Sequence, residues 1–120
     1  MSVVALDHVQ LAAPRDCEQD ARFFFAGVVG LEETPKPDSL AARGGVWFRC
    51  GEQQLHVGVD EGFTPARKAH PAFRVRDLDT VRDRLVAAGA TPQDDDAIPG
   101  LRRFYVDDPF GNRLEFLEDA

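Results

Sequence analysis

The sequence has few cysteines, histidines and tyrosines, no excess of basic charge and no long apolar run. Two cysteines, Cys17 and Cys50, in 120 residues fall short of a disulfide framework or a cysteine-based zinc site. Buried or half-buried thiols in a reducing cytoplasm are therefore expected. No apolar stretch approaches the roughly 18 residues of a membrane span, and MSVVALDH lacks the basic start of a secretory leader, so neither a membrane partner nor export is expected. Lys and Arg number 14 against 21 Asp and Glu, a formal net charge of −7. Nucleic acid is excluded on this ground, because binding a phosphate backbone needs a basic stripe. The acidity itself reads as a solvated surface.

What remains is an ordinary globular composition, 43% hydrophobic and 29% charged, in a chain long enough to bury one core without staples. Residues 4–12 alternate as a strand, with Leu6, His8 and Gln10 on one face and Val9 and Leu11 on the other. Asp16 is placed to cap a helix with Gln19 three residues on, and that helix should run through ARFFFAGVV with Phe23, Phe24 and Phe25 in the core and Gly30 as its stop. LEETPKP reads as a short, proline-limited edge strand and DSLAARGG as a flexible connection. GVWFRCG and QQLHVGV are two strands turning near Gly51.

The loop DEGFTPARKA marks a boundary, after which the order repeats. HPAFRVRD is a strand, and LDTVRDRLVAAG is a helix with Leu78, Val81, Leu85 and Ala88 at helical spacing and Gly89 as its stop. TPQDDDAIPG is a polar crossing; its run Asp94 to Asp96 lacks the spaced ligands and glycine of a calcium loop. RRFYVDDP and NRLEFLE are strands joined by the turn DPFGN. The fold class is therefore α+β, one domain over residues 1–120, built from two tandem units of about 60 residues: module one over about 1–60, module two over about 68–120.

All three histidines open or lie within these strands: His8, His56 and His70. With Glu115 they make a set of three nitrogen donors and one oxygen donor able to hold a divalent metal. His56 follows His8 by 48 residues and Glu115 follows His70 by 45, so the pairs sit at matching places in the two repeats. Alternation in NRLEFLE sends Glu115 to the face opposite Leu114 and Phe116. A lone histidine is ordinarily a surface or hydrogen-bonded core residue; the joint placement is what raises these four above that reading.

On LDHVQLAAPRD, ARFFFAGVVGLEE, AHPAFRVRDLD and, most specifically, DDPFGNRLEFLE, the chain resembles the vicinal oxygen chelate superfamily over essentially its whole length. That superfamily includes glyoxalase I, methylmalonyl-CoA epimerase, extradiol dioxygenases, fosfomycin-resistance enzymes and bleomycin-resistance proteins. The resemblance implies two βαβββ modules whose curved sheets form a metal-binding cleft with the helices outside. His8, His70 and Glu115 match the three usual ligand positions and His56 the fourth, where glyoxalase I carries Glu or Gln and the epimerase Gln. His56 departs from both patterns. Glu115 corresponds to the glutamate base of glyoxalase I, and Tyr105, the chain's only tyrosine, resembles the substrate-contacting tyrosine of the fosfomycin enzymes. A homodimer is also implied.

The expected activity is metal-dependent: Lewis-acid polarisation of a small oxygen-bearing substrate, with lyase or isomerase chemistry and proton transfer at the neighbouring carbon. The cofactor is a divalent ion, Zn, Ni, Co, Mn or Fe, among which this donor set does not choose. Gln10, Gln54, Arg49 or Trp47, Arg74, Arg103, Tyr105 and Arg113 would line the ligand face and orient substrate. Two alternatives follow from the same resemblance. One is a metal-independent drug-binding protein of the bleomycin-resistance type; the other is an iron-dependent extradiol dioxygenase using His8, His70 and Glu115 as its triad.

Overall fold

The computed structural model describes residues 2–119. The chain divides into two compact units, and the division falls between Thr64 and Pro65, inside the loop that separates the two repeats. Each unit carries one four-stranded mixed sheet, and the architecture is α+β with two tandem modules.

The first module runs β1 (His8–Ala13), α1 (Glu18–Ala21) continued by a π-helical segment (Arg22–Val28), β2 (Glu32–Thr34), a 3-10 helix (Asp38–Arg43), β3 (Val46–Cys50) and β4 (Gln53–Val59). The strand order is β1-β4-β3-β2. β1 lies parallel to β4 with His8 opposite Gln54 and Gln10 opposite His56; β3 lies antiparallel to β4 with Trp47 opposite His56. The two-residue side-chain period then fixes the faces. His8, Gln10, Gln54, His56, Trp47 and Arg49 share one face. Leu11, Phe48, Leu55 and Val57 occupy the other and are buried, with Phe25 of the π-helical segment packing against Phe48 at 5.7 Å between ring centres.

The second module repeats the plan: β5 (Ala72–Arg74), α2 (Leu78–Ala87), β6 (Gln93–Asp94), β7 (Leu101–Asp107) and β8 (Arg113–Asp119), in the order β5-β8-β7-β6. β5 is parallel to β8 with Ala72 opposite Glu115, and β7 is antiparallel to β8 with Tyr105 opposite Glu115. Phe73, Phe104, Val106, Leu114 and Phe116 are buried on the face that receives α2, whose Leu78 amide donates to Glu118 at 3.2 Å. Arg103, Tyr105, Arg113 and Glu115 take the opposite face. α2 is capped by Asp77, whose side chain accepts from the Thr80 amide, and Gly89 ends it at φ +91°. That left-handed conformation suits a residue without a Cβ.

Four sequence expectations are corrected. Asp16 is not the helix cap: it stands at φ +64°, Cys17 takes the capping position and no side chain caps the helix. Glu18 carries out the anchoring instead, accepting from the Gly45 amide at 2.7 Å. The aromatic run does not enter the core as a block. It lies on the π-helical segment, where the Val29 amide reaches back five residues to Phe24. Phe24 and Phe25 are buried, but Phe23 is 64% exposed, because three consecutive helical residues point in different directions. DSLAARGG is not merely a flexible connection but forms the 3-10 helix Asp38–Arg43. The crossing TPQDDD contributes the two-residue strand β6 against Tyr105 and Phe104. Among the described residues, no helix is long and apolar enough to cross a membrane.

Candidate functional site

In the first module the ligand face is an aromatic stack. The His8 and His56 rings lie 4.2 Å apart and 18° from parallel, and Trp47 covers the other side of His56 at 3.9 Å and 2°. The strand register produces this arrangement by placing Trp47 and Gln10 in the same rank as His56. His56 is 5% exposed, and its Nε2 is 2.8 Å from Gln54 Oε1. Burial, with the neighbouring His8 next, pushes its pKa below the ordinary histidine value. His8 is more open, with Nδ1 3.0 Å from Asp7 Oδ2. In a neutral ring, donation from Nδ1 to that carboxylate leaves Nε2 as the lone-pair nitrogen. Gln10 lies directly over Gly58, where a Cβ would come within 2.4 Å of its Nε2.

The second module holds a different arrangement. His70 Nδ1 is 2.8 Å from the Lys68 carbonyl oxygen, which can only accept, so Nδ1 carries a proton. Its Nε2 then faces Glu115 Oε1 at 3.1 Å. In a neutral ring that nitrogen brings a lone pair toward a carboxylate, and the contact is favourable only with a proton or a cation between them. Glu115 is buried, and Arg103 Nη1 approaches its second oxygen at 3.5 Å. Tyr105, directly across the ladder, meets His70 edge-on at 5.3 Å and lies beneath Arg113 at 3.8 Å from guanidinium carbon to ring centre.

The turn DPFGN holds this half together. Asp108 is buried and accepts from the amides of Phe110 at 2.9 Å and Asn112 at 2.8 Å; burial raises its pKa. Asn112 Oδ1 in turn accepts from the Ala66 amide at 3.0 Å. The Arg113 amide donates back to the Ala66 carbonyl at 2.9 Å, fixing the segment that leads to Lys68 and His70.

The four expected donors thus stand as two pairs, one in each module. Among the described residues, no three His, Cys, Asp or Glu side chains are grouped as a metal-holding set. The two pairs fit a metal unequally. Bonds of about 2.0–2.2 Å from one ion to a histidine nitrogen and a carboxylate oxygen bring those atoms to roughly 3 Å of each other, close to the His70–Glu115 separation. The Lys68 carbonyl supplies the outer hydrogen bond that ligating histidines ordinarily make. Stacked imidazoles, by contrast, hold their lone pairs in nearly parallel planes that do not converge, so His56 must turn out from between His8 and Trp47 to join His8 on an ion. Sequence reasoning left Trp47 and Arg49 as alternatives for the ligand face; both lie on it, and Trp47 is the one that touches His56. It missed Asp7 and the Lys68 carbonyl as partners of His8 and His70. Asp7 had a signal in its adjacency to His8; a carbonyl has none.

Tandem βαβββ modules, each with a polar donor-bearing face opposite its helix, define the vicinal oxygen chelate class of fold. The model of the glyoxalase-like domain matches residues 8–117, and the chain belongs to that family. A crystal structure of a glyoxalase family protein from Bacillus anthracis is 49% identical, with 100% of this chain and 98% of that one covered and a TM-score of 0.96. The oxidase ChaP-H2 is 28% identical over 100% of this chain and 96% of its own, with a TM-score of 0.75. The lactoylglutathione lyase of Agrobacterium tumefaciens, at 24% identity, 98% and 96% coverage and a TM-score of 0.75, shares the fold. No curated protein matches the sequence.

Proposed function

We propose that the chain is a metal-dependent, glyoxalase-like enzyme that moves a proton on a small oxygen-bearing substrate, with His8, His56, His70 and Glu115 as its metal-binding set. The observation that carries this reading is the His70–Glu115 contact at 3.1 Å, with the far nitrogen of His70 already committed to a carbonyl. A bound divalent ion supplies Lewis-acid polarisation of a substrate oxygen.

The chain's own groups supply the rest. Glu115 is a buried carboxylate on the polar face, suited to take a proton from a carbon beside a carbonyl and to return it. Arg103 at 3.5 Å keeps that carboxylate aimed while leaving it an acceptor. Tyr105, packed between His70 and Arg113, is held in place to donate a hydrogen bond to the substrate. A homodimer is the assembly expected from the resemblance, and sedimentation of the purified chain reads it.

An oxygen-activating reading draws on the likeness to the 28% identical oxidase and uses iron at His8, His70 and Glu115. Oxygen uptake on catechols under ferrous loading separates it from proton transfer. For the main reading, elemental analysis should find near-stoichiometric divalent ion that Glu115→Gln and His70→Ala abolish. Full metal occupancy in both variants would refute the assignment of these two ligands.

A further inference from the structure

Arg113 stands out among the charged residues of the second module. Most of the module's arginines on its strands have a carboxylate partner: Arg74 pairs with Asp119 at 2.6 Å, Arg102 with Asp79 at 2.5 Å, and Arg103 with Asp95 at 3.3 Å and Glu115 at 3.5 Å. The acid directly opposite Arg113 is Asp107, and Asp107 is taken by Arg67 at 3.0 Å. Among the described residues no carboxylate lies within ion-pair distance of Arg113; Asp95 feels its charge only at longer range.

The side chain is not loose in water either. It is half-buried, with its guanidinium carbon over the Tyr105 ring at 3.8 Å from the ring centre, the closeness of a face-on contact. A stacked guanidinium uses its face for the ring and keeps its in-plane N–H edge for hydrogen bonds, the geometry that takes two oxygens of one anion. The flexible stem is already ordered, so less entropy is lost when an anion docks. Arg103 also lies over Tyr105, at 5.5 Å, and its buried Nε has no acceptor among the described residues. Buried donors are ordinarily satisfied. Around Glu115 the second module therefore presents more donors than acceptors, in a chain whose net charge is −7.

We infer that Arg113, laid on Tyr105, seats an oxyanion, a carboxylate, phosphate or phosphonate carried by the substrate. The substrate class is then an anionic small molecule, held by its charged end on Arg113 with its reacting carbon toward Glu115. The inference rests on the proposed function only in taking the anion to be part of a substrate.

Calorimetric titration with inorganic phosphate, before and after chelator treatment, tests it on the wild type, Arg113→Gln, Arg113→Lys and the surface control Arg84→Gln. Metal content and melting temperature are measured on each. Wild type and Arg84→Gln should bind phosphate with and without chelator; Arg113→Gln should bind at least about tenfold more weakly with metal content unchanged, and Arg113→Lys should recover only part, since lysine lacks the planar fork. Equal affinity in wild type and Arg113→Gln, or no phosphate binding by the wild type, would overturn it. So would parallel loss of metal and phosphate in Arg113→Gln, which would place Arg113 with the ligand set. Phosphate binding that depends on Arg113 in a protein that takes up no metal would leave the anion seat standing and remove the proposed metal chemistry instead.

Discussion

Glu115 and His56 occupy equivalent places in the two repeats and have been put to different uses. Glu115 faces one histidine and one arginine, whereas His56 is closed between two rings. His70→Ala should therefore strip the metal at stoichiometric loading. His56→Ala should weaken its binding by only about tenfold, because His56 must give up its stacking on His8 and Trp47 to reach the ion; equal losses would show that His56 binds the ion as firmly as His70. Trp47, the chain's only tryptophan, reports the same event, because recruiting His56 separates the two rings and shifts the indole emission on metal addition. At this scale the sequence was informative wherever a residue's role follows from its strand position. His8, His56 and Glu115 stand on strands, on the faces the two-residue period gives them, whereas His70 lies two residues ahead of β5 and is aimed by the Lys68 carbonyl instead. It was silent on the stacking, which depends on cross-strand register, and on the Lys68 carbonyl, which no side-chain pattern encodes.

At the scale of elements, α2 and the strands other than the two-residue β6 were legible because each has a clear period, a cap or a glycine stop. The first helix was legible in its place and its end at Gly30, but not in its cap, which falls on Cys17, nor in its facing, since three consecutive helical residues cannot all enter the core and Phe23 is left outside. Phe25→Ala should cost about 3–5 kcal/mol in a denaturation experiment, as for a buried aromatic, while Phe23→Ser should stay within about 0.5 kcal/mol. Glu18 ties this helix to the start of β3 through the Gly45 amide. That hydrogen bond holds the Glu18 pKa below its ordinary 4.5. A carboxylate with a lowered folded-state pKa contributes stability that is fully present above the unfolded value and is lost as pH falls through the folded one. Glu18→Gln should thus destabilise the chain by roughly 1–2 kcal/mol at neutral pH, and the difference from wild type should shrink as pH drops below 4.5. A constant difference across that range would assign the effect to packing.

For the whole molecule, the repeat was visible as a spacing of histidines and glutamate before any element was drawn, and the structure carries it through to two sheets of matching strand order. The sequence also indicated a metal-ready donor set, but the ligand chemistry beyond it depends on which arginines are already paired, and that is fixed by contacts between residues far apart in the chain. The central claim is that the repeated donor positions serve a divalent ion. Metal analysis of the purified wild type beside Glu115→Gln, with melting temperatures to confirm that both are folded, tests it most directly. The account predicts near-stoichiometric metal in the wild type and its loss in the variant; a folded Glu115→Gln protein that keeps its full metal complement would contradict it.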